Sequence, residues 1–152
     1  GSVEIRPFPV PHDAREPVQY VIALGDLSLG VLTDLGMLTA HVERSLQDCD
    51  GLVLEFNHDP ELLAKSSYPD SLKQRIAGRY GHLCNRDAAG FLAGLNLDRL
   101  QHVVAAHLSQ SNNSPELVLQ AVREALGDVP ACFYLATQQD GFDWLTIQPA
   151  QA

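Results

Sequence analysis

Six residues whose side chains can bind metal or transfer protons stand at or just beyond the ends of apolar runs in the sequence. They are His12, Asp34, Glu55, His58, His82 and His107. Neutral imidazoles and carboxylates together suit Zn, Mn or Fe. Taken singly, each has a simpler explanation, because a histidine that ends an apolar strand commonly packs in a core and an aspartate commonly sits in a turn. There is no HExxH or other tight ligand spacing, so the pattern by itself stops at a possible metal site.

The stretch PFPVPHDAREP, residues 7–17, places His12 among four prolines. Proline fixes its own φ and restricts the residue before it, so the backbone on both sides of this imidazole is expected to be stiff. A stiff segment around one histidine suggests that the position of its ring matters.

Five short apolar runs rich in Val and Leu predict strands. They cover residues 18–24, 27–33, 51–56, 102–108 and 131–137. The Gly25-Asp26 pair predicts a hairpin turn between the first two runs. The last three runs are typical of strands that are buried on both faces.

Helical patterns fill the intervals between the later runs. Asp59 before Pro60, and Ser114 before Pro115, have the order of an N-cap followed by a first helical residue. Alternation of strands and helices after a hairpin predicts the α/β class, with a mixed sheet flanked by helices. In such sheets ligand groups gather in the loops at the carboxyl ends of the strands, so we expect the candidate residues to meet at one edge.

The 152-residue chain, with 45% hydrophobic residues, can form one domain with its own core. We therefore expect one domain over residues 1–152. No apolar run is long enough for a membrane span, and the first residues lack the pattern of a secretory signal. Three cysteines without a CxxC pair argue against a disulfide framework and against a thiolate zinc site. We expect a cytoplasmic protein without a membrane partner.

Positive charge is concentrated in residues 65–86. The whole chain has a net charge of -9, yet this segment sets five basic residues against Asp70 alone and is therefore +4. The five are Lys65, Lys73, Arg75, Arg79 and Arg86. Such a cluster is commonly a solvated helix face. The alternative is a phosphate-binding surface, because nucleic-acid binding depends largely on neutralising phosphates.

Five motifs, FPVPHDA, LGVLTDLG, LVLEFNHD, GHLCN and VVAAHLSQSNN, have the order and approximate spacing seen in the metallo-β-lactamase fold superfamily. Together they most closely resemble its YycJ/WalJ-like branch of nuclease-related, metal-dependent hydrolases. The resemblance extends from about residue 3 to residue 147 and implies the second, C-terminal half of an αββα sandwich. The first half of that fold normally carries a His-x-His-x-Asp-His loop, which is absent from this sequence.

The resemblance implies a role for three of the candidate residues at a pair of metal ions. His12 looks like a histidine on one ion, Asp34 like the carboxylate that bridges both ions, and His107 like the histidine on the second ion. The stiff proline segment would then hold a metal ligand in place. Asp13 is a candidate for orienting an imidazole.

The resemblance also implies an acid that protonates the leaving group. His82 in GHLCN is similar to the histidine of the GHST motif of ribonuclease Z, and Glu55 in LEFN is similar to the glutamate of that enzyme's HEAT motif. An imidazole held by a carboxylate is a competent general acid. His58 is a further catalytic candidate, with polarity at a helix start as the alternative. The candidates for substrate binding, as a positive wall beside the leaving group, are Lys73, Arg75, Arg79 and Arg86.

The resemblance thus implies an enzyme that holds two divalent ions, Zn or Mn, and hydrolyses phosphodiesters of nucleic acid. Water activated by the metal pair would attack phosphorus. The YycJ/WalJ branch resembles DNA exonucleases that act from the 5′ end, whereas nearby branches hydrolyse cyclic nucleotides. DNA, RNA and small nucleotide phosphodiesters therefore all stay open as substrates.

This sequence retains about two protein ligands for each ion, where about four are usual. We therefore expect weak metal binding, a chain that is inactive by itself, and an exposed sheet face that needs covering. Either the missing N-terminal half or a second copy would complete the site. The alternative is a non-catalytic half-domain that serves assembly or binding.

Overall fold

Within residues 1–149, which the computed structural model describes, six strands and five helices follow one another. The strands are β1 (Val3–Pro9), β2 (Val18–Leu24), β3 (Leu27–Leu32), β4 (Gly51–Glu55), β5 (His102–Ala106) and β6 (Phe133–Leu135). The helices are α1 (Ala40–Leu46), α2 (Pro60–Lys65), α3 (Asp70–Ile76), α4 (Asn85–Ala93) and α5 (Pro115–Leu126). The last three residues of the expected domain, 150–152, lie outside the described part.

All six strands form one sheet in the order β1-β2-β3-β4-β5-β6. β1, β2 and β3 are antiparallel neighbours, whereas β4, β5 and β6 each join the sheet as parallel neighbours. The hairpin turns at Gly25, whose φ of 61° is the left-handed conformation that glycine adopts without strain. The predicted α/β class with a mixed sheet is confirmed.

Two helices begin as their local sequence predicts. The carboxylate of Asp59 accepts hydrogen bonds from the backbone N–H groups of Glu61 and Leu62, both at 2.9 Å, directly before α2. The Ser114 hydroxyl accepts from the backbone N–H of Leu117 before α5. These caps satisfy N–H groups that have no partner within the helix.

Two elements have no clear signal in the sequence. β1 includes Pro7 and Pro9, which a central strand would exclude, but β1 pairs only with β2 at the edge of the sheet. α3 lies in the basic segment and has no buried residue, and its apolar side consists of Leu72 and Ile76 alone, which is too little to predict a helix from the sequence. The stiff loop around His12 therefore begins only after Pro9.

One face of the sheet packs against α1, α4 and α5 to form the core. Leu32, Leu54 and Ala105 lie side by side on this face and are fully buried. The helices add Val42, Leu46, Ala88, Leu92, Val118 and Val122 to the same cluster. This packing fixes the positions of the strand ends from which the candidate residues extend.

The other face of the sheet is partly open. At the β1–β2 end five apolar residues keep between 38% and 60% of their surface exposed: Val3, Ile5, Val18, Tyr20 and Leu24. At the β4–β5 end the C-terminal segment covers this face, where the Ile147 side chain lies against the backbone of Gly51. The Gln101 side chain fastens this segment through two hydrogen bonds of 2.8 Å to the backbone of Gln148.

No helix within residues 1–149 is both long and apolar enough to cross a membrane. The cytoplasmic location expected from the sequence stays a prediction.

Candidate metal centre

The three predicted metal ligands lie together at one edge of the sheet. β1, β3, β4 and β5 all run in the same direction, so the residues that follow them emerge at the same edge. Oδ1 of Asp34 lies 3.9 Å from Nε2 of His12 and 3.7 Å from Nε2 of His107. These three residues are distant in sequence, and the common strand direction brings them to the same edge.

Asp34 and His107 both have a left-handed backbone conformation, with φ values of 53° and 60°. They are the non-glycine residues with positive φ in the described part of the chain. Such backbone costs about 1 kcal/mol or more for a residue with a side chain, and it concentrates at functional sites. The turn after β3 and the turn after β5 are thus bent in the same way to aim these two side chains.

Glu55, the last residue of β4, is completely buried below the site and organises it. Its Oε1 accepts hydrogen bonds from Nδ1 of His82 at 2.9 Å and from Nδ1 of His107 at 2.5 Å. The backbone N–H groups of Asp34, Leu35 and Leu83 also donate to this carboxylate, at 3.3, 3.3 and 2.9 Å. One carboxylate therefore connects both imidazoles to the loops on either side.

The charge of Glu55 depends on these donors. Burial raises the pKa of a carboxyl, but hydrogen bonds from His107, His82 and Leu83 outweigh it and lower the pKa of Glu55 to about 2. The hydrogen bond that His107 donates to Glu55 also raises the pKa of His107. Because Nδ1 carries the proton that Glu55 accepts, Nε2 of neutral His107 keeps its lone pair and faces Asp34.

His12 is oriented by a backbone carbonyl. Its Nδ1 donates to the carbonyl of Gly81 at 3.0 Å, which leaves the Nε2 lone pair toward Asp34. The loops meet without space for side chains here, because a Cβ at Gly36 would collide with the carbonyl of Gly78 and the amide nitrogen of Gly81. The Gly36 N–H donates to the carbonyl of Pro11 at 2.9 Å and so fastens the proline loop.

The donor set fits a divalent metal ion. Two atoms that bind the same zinc ion at about 2.1 Å lie roughly 3.4 Å apart, close to the 3.7 and 3.9 Å separations around Asp34 Oδ1. Asp34, Glu55, His82 and His107 also offer atoms that all lie within 4.8 Å of one another. The Glu55 oxygens, however, already accept five N–H groups. This argues against Glu55 as a ligand, whereas Nε2 of His12 and Nε2 of His107 both face Oδ1 of Asp34.

Asp13 does not orient the His12 ring through Nδ1, which Gly81 already holds. Its Oδ2 accepts a hydrogen bond of 2.5 Å from Nε of Arg75, and its Oδ1 lies 3.6 Å from Nε2 of His12. The hydrogen bond from Arg75 lowers the pKa of Asp13. Asp13 thus lies on the metal-facing side of His12 and holds Arg75 beside the site.

A cleft of about 620 Å³ opens above the candidate ligands. His82 and His107 lie at its base, and among the four predicted substrate-binding residues Arg75 lines it. The nearest polar partners of the other three lie outside the cleft: Lys73 donates to the carbonyl of Ala64, Arg79 contacts Sδ of Met37, and Arg86 lies 3.5 Å from Asp87. The basic segment thus sends one guanidinium into the cleft.

His58 lies apart from the other candidates. Its side chain is 2% exposed, its Nδ1 has no hydrogen-bond partner among the described residues, and it does not line the cleft. Burial lowers the pKa of this imidazole and favours its neutral form. A catalytic role for His58 therefore stays a prediction that the geometry does not favour.

Two residues that hold the site have no strong signal in the sequence. The carbonyl of Gly81 positions His12, and Nδ2 of Asn57 donates to the carbonyl of His107 at 3.1 Å, which supports its left-handed turn. The position of Asn57 two residues after Glu55, at the end of a strand, was the available clue. A backbone carbonyl gives none.

Comparison with solved structures identifies the class of fold. The metallo-β-lactamase fold protein YhfI of Bacillus subtilis has a TM-score of 0.65 and 15% identity, over 95% of this chain and 50% of that one. Zn²⁺-bound PqqB from Methylobacterium extorquens has a TM-score of 0.55 and 16% identity, over 92% and 46% of the two chains. The chain therefore has the metallo-β-lactamase fold.

Sequence comparison confirms the resemblance to the YycJ/WalJ-like branch. The chain is 37% identical over 126 residues to exodeoxyribonuclease YycJ of Bacillus anthracis, covering 83% of this chain and 48% of that protein. It is 38% identical over 117 residues to exodeoxyribonuclease WalJ of Streptococcus pneumoniae serotype 2, strain D39, covering 77% and 44%. No family model matches. The chain resembles the YycJ/WalJ-like branch and spans about half the length of these relatives.

Proposed function

We propose that this chain is the C-terminal half of a dinuclear-metal phosphodiesterase that removes nucleotides from the end of a nucleic acid. The supporting observation is the convergence of His12, Asp34 and His107 beside the Glu55–His82 pair, where Asp34, His82 and His107 line one cleft. The names of the relatives, exodeoxyribonucleases, support a nucleic acid as the substrate.

The residues of this chain divide the work between binding and proton transfer. His12 and Asp34 would hold one ion, and Asp34 and His107 would hold the other. When bound, the ions supply a Lewis acid for the phosphate and lower the pKa of water. His82, whose Nδ1 is held by Glu55, presents its other nitrogen to the cleft and gives a proton to the leaving oxygen.

The chain by itself is proposed to be inactive. Two protein donors per ion are about half of what a stable site uses, and the His-x-His-x-Asp-His motif is absent from the 152 residues. The exposed face at β1 and β2 offers an apolar surface on which a second sheet can pack. The N-terminal half, or a second copy of this chain, supplies the remaining ligands from that side.

Two substitutions in the completed protein, this chain together with the half proposed to complete it, test the roles. Asp34→Ala removes the shared donor, so bound metal measured by mass spectrometry and hydrolysis of bis-p-nitrophenyl phosphate should both be lost. His82→Ala should keep the metal but lower the rate by about 100-fold or more, the usual contribution of a general acid. His41→Ala, which changes an exposed histidine, is the matched control.

Other results would contradict the proposal. Full metal content and full activity in both variants would show that the roles are misassigned. Hydrolysis of the same substrate by the 152-residue chain alone, with added Mn or Zn, would contradict its inactivity.

A non-catalytic half-domain is the second candidate, and the incomplete donor set favours it. The coding sequence upstream of Gly1 separates the two. An in-frame His-x-His-x-Asp-His motif supports the enzyme, whereas a start codon immediately upstream supports the binding module.

A further inference from the structure

α3 directs its apolar side into the cleft. Leu72 and Ile76, four residues apart and therefore on one side of the helix, line the cleft together with Tyr68 from the preceding loop. No residue of α3 is buried, and these three side chains are only partly covered. An apolar helix side normally packs in a core. Here it forms a wall that the rest of the described chain leaves free.

The cleft has a second wall that is polar but uncharged. Ser109, Gln110 and Ser111 line it, in the loop that follows His107. This loop is fastened to the end of β4, because the N–H of Ser109 donates to the carbonyl of Asn57 at 2.8 Å. The wall therefore presents hydroxyl and amide groups at a fixed position.

Charge is confined to the base of the cleft and its rim. Asp34, His82 and His107 line the cleft, and Arg75 is the cationic side chain among the lining residues. Asp13 already pairs with Arg75. A site for an anion alone would need more positive charge than this, whereas the volume of about 620 Å³ lies in the usual range for an organic ligand.

We propose that this cleft is a subsite for the unpaired terminal nucleotide of a nucleic-acid strand, with the base lying flat against Tyr68, Leu72 and Ile76. The inference rests on the proposed function and names the form of its substrate. Stacking on a tyrosine favours any base, because every base has a flat π-face. The polar loop 109–111 contacts the edges of that base, and Arg75 lies near its phosphate.

The experiment measures binding, so that it does not depend on turnover. Two fluorescent single-stranded oligonucleotides have the same number of phosphates, but one lacks the bases of its two terminal residues at each end. Fluorescence anisotropy of the completed protein at fixed ionic strength gives both values of Kd. We expect the oligonucleotide with all its bases to bind about tenfold more tightly, in the range of one stacked base.

Three variants localise the effect. Tyr68→Ala should abolish the preference for terminal bases, and Tyr68→Phe should keep it, because the ring provides the stacking surface. Tyr80→Ala should also keep it, because Tyr80 belongs to the same segment but is 62% exposed and does not line the cleft.

The outcomes separate this inference from the proposed function. Equal binding of the two oligonucleotides by the unsubstituted protein, or a preference that survives Tyr68→Ala, overturns the subsite. If bis-p-nitrophenyl phosphate is still hydrolysed in that case, the proposed function stands. Failure to bind either oligonucleotide, together with failure to hydrolyse the small substrate, overturns both.

Discussion

Replacing Glu55 by glutamine should destabilise the chain through the five hydrogen bonds that its carboxylate accepts. The donors are all N–H groups, whereas a glutamine amide has one acceptor oxygen and one NH₂ donor. Oε1 accepts three of the N–H groups and Oε2 accepts two. At whichever position the NH₂ group lies, it therefore faces at least two N–H donors. The imidazoles of His82 and His107 can accept instead only by moving their proton to Nε2, and at His107 this removes the lone pair that faces Asp34.

The size of the effect follows from the pKa of Glu55. The lowering of the Glu55 pKa from 4.5 to about 2 means that the charged carboxylate stabilises the folded chain by about 3 kcal/mol relative to the protonated carboxyl. Because the pKa is lower in the folded state, this stabilisation is complete above pH 4.5 and is lost as the pH falls toward 2. Glu55→Gln should therefore lower the free energy of unfolding by about 3 kcal/mol at pH 7 and by only about 1 kcal/mol at pH 3.

Urea unfolding of the metal-free chain, followed by circular dichroism at several pH values, measures this difference. Glu61→Gln is the matched control, because Glu61 is exposed and pairs with the exposed Lys65, so the unfolding free energy of this variant should stay essentially unchanged. A difference below about 1 kcal/mol at pH 7, or the same difference at pH 3 as at pH 7, would refute the account of Glu55 as a buried charge held by its donors.

Two further predictions concern the cleft and the packing of its loops. Arg75→Ala in the completed protein should raise KM for oligonucleotides more than Lys73→Ala does, because Arg75 lines the cleft whereas Lys73 donates to the carbonyl of Ala64. Equal effects of the two substitutions on KM in steady-state assays would argue against Arg75 as the substrate-binding residue. Gly36→Ala should lower the free energy of unfolding by about 1–3 kcal/mol, because the added Cβ would collide with backbone atoms. Gly90→Ala should raise it by about 0.5–1 kcal/mol, because the space around this position of α4 is open. Urea unfolding measures both values, and an unchanged stability of the Gly36→Ala variant would contradict the close approach of the loops.

The parts of the fold that sequence predicted are those with local causes. The Gly25 turn, the Asp59 and Ser114 caps and the buried strands each depend on a few adjacent residues. β1 could not be predicted in this way, because Pro7 and Pro9 are acceptable only at the edge of a sheet, and the sequence alone does not give the strand order.

The candidate site likewise has features that the sequence indicates and features that depend on the three-dimensional arrangement. The types and motif positions of His12, Asp34 and His107 indicated a shared metal site, and parallel strand direction brings them together. Which basic residue faces the cleft depends on the rotation of α3 about its axis. The charge pattern of the sequence does not reveal that rotation, although the rotation is what places Arg75 in the cleft and Lys73 outside it.

The left-handed backbone at Asp34 and His107 has a consequence for how this chain can change. Glycine adopts this conformation without strain, so a substitution of either residue by glycine would stabilise the turn. The same substitution would remove the side chain that carries the donor atom. Two of the residues proposed to hold the ions are therefore among those that the fold would most readily exchange. A lineage that no longer needed the ions could lose this centre by single changes that also relieve strain.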